Sequence, residues 1–174
     1  MRARRGLSIL FLVSATSLAA GESLIEIPLR LPKVVAGDWL LFEFGGETFR
    51  QTVLRVEEAE SERFVHFRLD TLDESGEVIE SGLTILAASQ EREMCRLYLQ
   101  AFAEQGFSAE KRNLAIGGKP VAAVVYKKPG ERAEFWFSDE AGLLSLLLFK
   151  PGDDGEPGQT PLDFGRDAQS ENDG

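Results

Sequence analysis

Alternation with a period of two is the feature that most narrows what this chain can fold into. In residues 63–72, Val65, Phe67 and Leu69 alternate with His66, Arg68 and Asp70, the pattern of a strand with one buried and one wet face. Short runs of the same kind precede and follow it. Residues 39–44 and 48–57 flank Gly45-Gly46, a hairpin with glycines where positive φ is needed. The charged stretch 57–62 and the Asp73-Glu74-Ser75-Gly76 turn separate the next two runs, the second covering 77–86. Four strands joined by such short turns predict an antiparallel meander.

One helix interrupts the strands. Met94, Leu97, Tyr98, Ala101 and Phe102 recur at helical spacing, with Ser89 as the predicted N-cap. Glu91 and Glu93 sit near the positive end of the helix dipole, and Gly106 ends the helix in a left-handed conformation. The predicted helix therefore spans 89–105. Strands resume at 121–126, 133–138 and 143–149, with Gly117-Gly118 and Pro129-Gly130 as turns. Residues 22–33, which contain Pro28 and Pro32, read as an edge strand or an extended lead-in.

In residues 121–126 and 143–149 both alternating sets are largely apolar, so these strands are expected to be covered on both faces. Two arrangements satisfy this: a filled core under the helix, or a concavity open to an apolar ligand. Trp136, Tyr126, Leu144, Leu146, Leu148 and Phe102 are the candidate ligand contacts for such a concavity.

The start of the chain reads as an address. Arg2, Arg4 and Arg5 precede an apolar run over 7–18, and Ser17-Leu18-Ala19-Ala20-Gly21 supplies small residues for cleavage. Residues 1–20 are thus expected to be a secretory signal peptide, too short in its apolar part for a membrane anchor. The expected compartment is the periplasm or exterior of a bacterium. The net charge of −10, without the leader's arginines to offset it, disfavours nucleic acid and anionic lipid surfaces. Residues 151–174 hold many carboxylates against the single Arg166, among Pro, Gly, Asn and Gln, and read as a flexible acidic tail. Residues 21–150 make up a single domain.

The residues do not converge on a chemistry. Cys95 is the only cysteine, which excludes an intramolecular disulfide and places a small thiol on the apolar side of the helix. His66 is the only histidine, so a metal site built from several His or Cys is impossible. Its alternate neighbour Asp70 allows a His-Asp contact, but a surface histidine is the plainer reading. Gly117-Gly118-Lys119 lacks the spacing and hydroxyl of a phosphate loop, and the acidic turns lack the ligand pattern of an EF-hand. Neither catalytic residues nor a cofactor are expected. Trp136 shares its strand face with Glu134 and Ser138, which suits a half-buried position.

The order of these features, with Gly37-Asp38-Trp39 opening a meander, a mid-chain helix, Gly118-Lys119 and Phe135-Trp136-Phe137-Ser138-Asp139 before a Leu-rich strand, resembles small bacterial envelope proteins with a LolA-like or LolB-like unclosed β-barrel. The likeness covers about residues 35 to 150. It implies a strongly curved, mainly antiparallel sheet forming a half-open barrel; the carriers of that kind plug it with several helices, whereas this chain has one, so the expected fold is α+β with a single helix packed on the sheet. It also implies a non-enzymatic role, holding an apolar small molecule or lipid in the concave face. The alternative is a protein-interaction module of the cell envelope with a filled core.

Overall fold

The computed structural model describes residues 24–131, 133–140, 148–150 (backbone only) and 158–167. The predicted leader and most of the two-sided apolar segment at 143–149 lie outside the described residues. The fold is α+β: the described residues form nine antiparallel strands in two sheets and one helix.

The first four strands are the predicted meander: β1 (Asp38–Phe44), β2 (Glu47–Ala59), β3 (Glu62–Leu72) and β4 (Val78–Ala87). Each pairs antiparallel with the next. The β1–β2 turn uses Gly45 at φ 62° and Gly46 at φ 81°, the doubly positive turn whose twist suits a hairpin. The helix α1 (Ala88–Glu104) follows β4 directly. It starts one residue earlier than predicted, and Ser89 is not its cap. Ala87 holds the N-cap position, and its backbone N–H donates to the Gln90 side chain at 2.8 Å. Gly106 ends the helix region at φ 75°, as its position predicts.

Beyond the helix come β5 (Ser108–Ile116), β6 (Lys119–Lys127), β7 (Glu134–Phe137) and β8 (Leu148–Lys150), which form a second sheet in the order β5-β6-β7-β8. β5 was not predicted, since its sequence shows no apolar alternation. Two expectations about the tail and the wet face of β3 also need correction. Residues 159–166, placed by composition in a flexible tail, form β9 (Gln159–Arg166), antiparallel to β1, so the first sheet runs β4-β3-β2-β1-β9. Asp70, expected in solvent, is buried, because Arg68 Nε and Ser81 Oγ donate to its carboxylate at 2.9 and 2.6 Å.

Two cores result. Val53, Val65 and Phe67 from the first sheet meet Ile116 and Val121 from the second, with Leu31 and Val34 closing one end. On the other face of the second sheet, Val124, Tyr126 and Phe137 pack against Cys95 and Phe102 of α1 and against Ile27. The two-sided apolarity of 121–126 is thereby explained: alternate residues of β6 serve different cores.

Residues 24–31 form no strand. They run as an extended strap whose backbone is held by side chains from three elements. The Tyr126 hydroxyl donates to the Ile25 carbonyl, Arg63 donates to the Leu31 and Val34 carbonyls, and the Glu91 carboxylate accepts the N–H groups of Arg30 and Leu31. These bonds satisfy backbone groups that a strand ladder would otherwise satisfy.

Candidate functional site

The space between α1 and the second sheet, the place of the expected ligand concavity, is filled by rings. Phe102 stacks on Tyr126 with centroids 4.8 Å apart, and Phe107, Phe135 and Phe137 surround the same ring at 4.8, 5.1 and 6.3 Å. Both Phe102 and Tyr126 are buried, and loss of solvent raises the Tyr126 phenol above its ordinary range. Trp136 points to the opposite face of the sheet, toward the first core, and its indole N–H donates to Glu134 at 2.9 Å. It therefore shares a face with Glu134, as the alternation predicts. Of the predicted ligand contacts, the fold brings together Phe102 and Tyr126 and separates Trp136 from them. Leu144 and Leu146 lie outside the described residues, and the Leu148 backbone belongs to β8, opposite Trp136.

His66 Nε2 lies 3.2 Å from Glu57, and Asp70 is taken by Arg68 and Ser81, so no His-Asp pair forms. Cys95 is buried, and desolvation, reinforced by the nearby Glu91 charge, pushes its thiol up to about 11. Such a thiol is a poor nucleophile. Among the described residues no group of three His, Cys, Asp or Glu could hold a metal ion, and no helix is long and apolar enough to cross a membrane.

The surface is more informative at the sheet edges. A strand edge presents unpaired N–H and C=O groups, and folded proteins usually blunt it with charge, proline or brevity. β5 carries Glu110, Lys111 and Arg112 in succession, and β9 contains Pro161. β4 has none of these defences beyond Glu80 and an irregularity in its pairing between Thr71 and Leu72. Instead it exposes Leu83 by 75%, Ile79 by 64%, and Val78 and Ile85 by 55% each.

The register explains the exposure. Leu83 and Ile85 stand opposite Arg68 and His66, on the face that carries Ser81 and Asp70 and is turned away from the core. On the other face, Leu69 stands opposite Gly82, which has no side chain to cover it, and is exposed as well. The nearest cation, Arg68, already pairs with Asp70. The result is an aliphatic, nearly uncharged strip along an edge that pairs with no strand among the described residues, on a chain of net charge −10. The alternation of residues 77–86 predicts the strand but not that its apolar residues stay in water.

A second concave feature is an open groove of about 880 Å³ between strap residues Ile25 to Leu29 and Ala122 to Val124 of β6, with Lys111 and Arg112 at its rim. Arg112 is bound to Glu110 and Glu134, and these partners hold its pKa above the ordinary value.

Compared with protein-family models, with curated proteins and with solved structures, the chain matches none.

Proposed function

We propose that this protein is a non-enzymatic interaction module of the bacterial cell envelope, and that β4 is its docking element. The observation that carries this reading is the unprotected aliphatic edge at Val78, Ile79, Leu83 and Ile85, in contrast to the blunted edges of β5 and β9. An incoming extended segment would pair with the free backbone groups of β4 and cover its side chains, the β-augmentation mode of recognition. The leader-like residues 1–20 support export. The LolA-like resemblance has no support from the comparisons and adds nothing to this argument.

The test is site-specific photo-crosslinking in cells. A crosslinking residue at Leu83 is expected to form an adduct with a polypeptide identified by mass spectrometry. The same residue at Leu97, exposed on α1, should not. Equal capture at both positions, or none at Leu83, overturns the reading.

A second reading, an apolar ligand or lipid held by the protein, is favoured by the groove beside the strap. Its walls include Ile25, Ile27, Leu29 and Val124, and its volume falls within the range of ligand pockets, about 300–1,000 Å³. In this reading the two sheets act as one strongly curved half-open barrel, which the approach of β9 to both β8 and β5 supports. Fatty-acid displacement of a fluorescent dye, abolished by Ala122→Trp, is the expected result. No displacement and no bound species by native mass spectrometry removes it.

A further inference from the structure

We infer that the strand β4 receives is the β4 of a second copy of this chain, paired antiparallel about a two-fold axis at Gly82. The inference rests on the interaction-module reading and names its partner. An isologous contact requires a surface complementary to itself, because residue i meets j wherever j meets i. β4 meets this condition around Gly82, near the middle of Val78–Ala87.

With Gly82 opposite Gly82 of the second copy, Ile79 faces Ile85 and Ser81 faces Leu83, each twice by symmetry. Aliphatic side chains pair at both ends of the strip, and a small residue stands opposite each large one in the middle. Two leucines at position 83 then lie diagonally across the axis, within reach of each other in an antiparallel pair. Ser81, Leu83 and Ile85 share the outer face, so pairing about an axis perpendicular to the sheet keeps all of them on one side. The inner face of the strand is open at the axis, since a Cβ built on Gly82 meets no atom within 4 Å.

Charge points the same way. Two chains of net charge −10 repel each other over most of their surfaces. The strip carries one charge, Glu80, which in this register faces the Thr84 hydroxyl of the second copy rather than another carboxylate. β4 is therefore where two copies can approach with the least repulsion, and the contact would convert two five-stranded sheets into one continuous ten-stranded sheet.

Sedimentation or light scattering of the purified protein tests the inference. The expected result is a concentration-dependent doubling of the mass, reversed by Leu83→Lys, with dimerisation weakened at least about tenfold. Leu83 is exposed, so circular dichroism and the thermal midpoint should confirm that the variant folds. Register is read by disulfide trapping: Gly82→Cys should form a covalent dimer on mild oxidation, whereas Leu97→Cys should not. Cys95 is buried and will not compete. A monomer at every concentration, with no Gly82→Cys dimer, overturns the inference. If Leu83 still crosslinks another polypeptide in that case, the interaction-module reading stands with a different partner. If it crosslinks nothing, both fall.

Discussion

Glu91 and Arg30 form an ion pair with no access to solvent, Nε to Oε1 3.1 Å, across 61 residues of sequence. The same carboxylate accepts the backbone N–H groups of Arg30 and Leu31, each at 2.9 Å. Arg30 Nη1 and Nη2 have no hydrogen-bond partner, and burial lowers the guanidinium pKa to about 10 despite the facing charge. The pair anchors the strap to the first turn of the helix at a considerable cost in desolvation.

Removing one partner should therefore cost far more than removing both. Glu91→Ala is expected to lower unfolding free energy by about 3–5 kcal/mol, because it leaves a buried cation unpaired. The double change Arg30→Met with Glu91→Leu should recover most of that loss. Urea denaturation measures both, and a loss below about 1 kcal/mol for Glu91→Ala would remove the pair as the strap's anchor.

Phe102 is the hub of the second core, touching rings of Tyr98, Phe107, Tyr126, Phe135 and Phe137. Phe102→Ala should destabilise by about 3–5 kcal/mol through lost burial and the cavity left behind. A much smaller effect in the same denaturation experiment would mean that the space beneath the helix is loosely packed, and would revive a ligand cavity there.

Gly165 lies under the Trp39 ring, where an added Cβ would sit 2.9 Å from Cζ2. Gly165→Ala should push β9 away from β1 and cost about 1–3 kcal/mol, the range for overpacking. Trp39 emission should shift to the red as the ring gains solvent. An unchanged spectrum and stability would show that β9 tolerates displacement.

Cys95 makes stability depend on alkaline pH. Its pKa is raised in the folded state, so the unfolded chain loses this proton first as pH rises. The contribution is complete below about 9 and is lost as pH climbs to about 11. A decline of about 2 kcal/mol over that window is expected from this group. Cys95→Ala should flatten it by that amount, while the buried Tyr126 phenol keeps a further decline above its ordinary pKa. Identical pH profiles for the two proteins would contradict the assignment.

The meander was legible because each strand announces itself twice, by alternation and by the turn residues that bound it. β5 was not, since Glu110, Lys111 and Arg112 erase the alternation. Their charges are balanced laterally instead, Arg112 by Glu134 of a strand two places away. β9 escaped for a related reason. Its attachment depends on a few contacts invisible in local composition: Arg166 Nε to the buried Asp38 at 2.6 Å, the Asp167 N–H to the Gly37 carbonyl at 2.9 Å, and Gly165 beneath Trp39. Gly37-Asp38-Trp39 stood out in the sequence, but what those residues receive did not.

The candidate site shows the same limit from the other side. Periodicity identifies Leu83 and Ile85 as apolar members of a strand, and apolar residues are assigned to the interior by default. Whether an edge strand is covered depends on what the rest of the chain brings to it, which no local pattern encodes. Glu91 is the converse case: its place in a first helical turn suggests a solvated dipole partner, and only the fold delivers Arg30 to it.

The neighbour order β2-β1-β9 also has a kinetic consequence. β1 is the first of the described strands, yet one of its two flanks is supplied by the last of them. As the chain leaves the ribosome, the hairpins of the meander can zip as they emerge, whereas β1 must wait with one side open until residues 159–166 arrive. Closing so long a loop is entropically slow. The rate at which the native state is reached should be set by that last pairing and not by the hairpins.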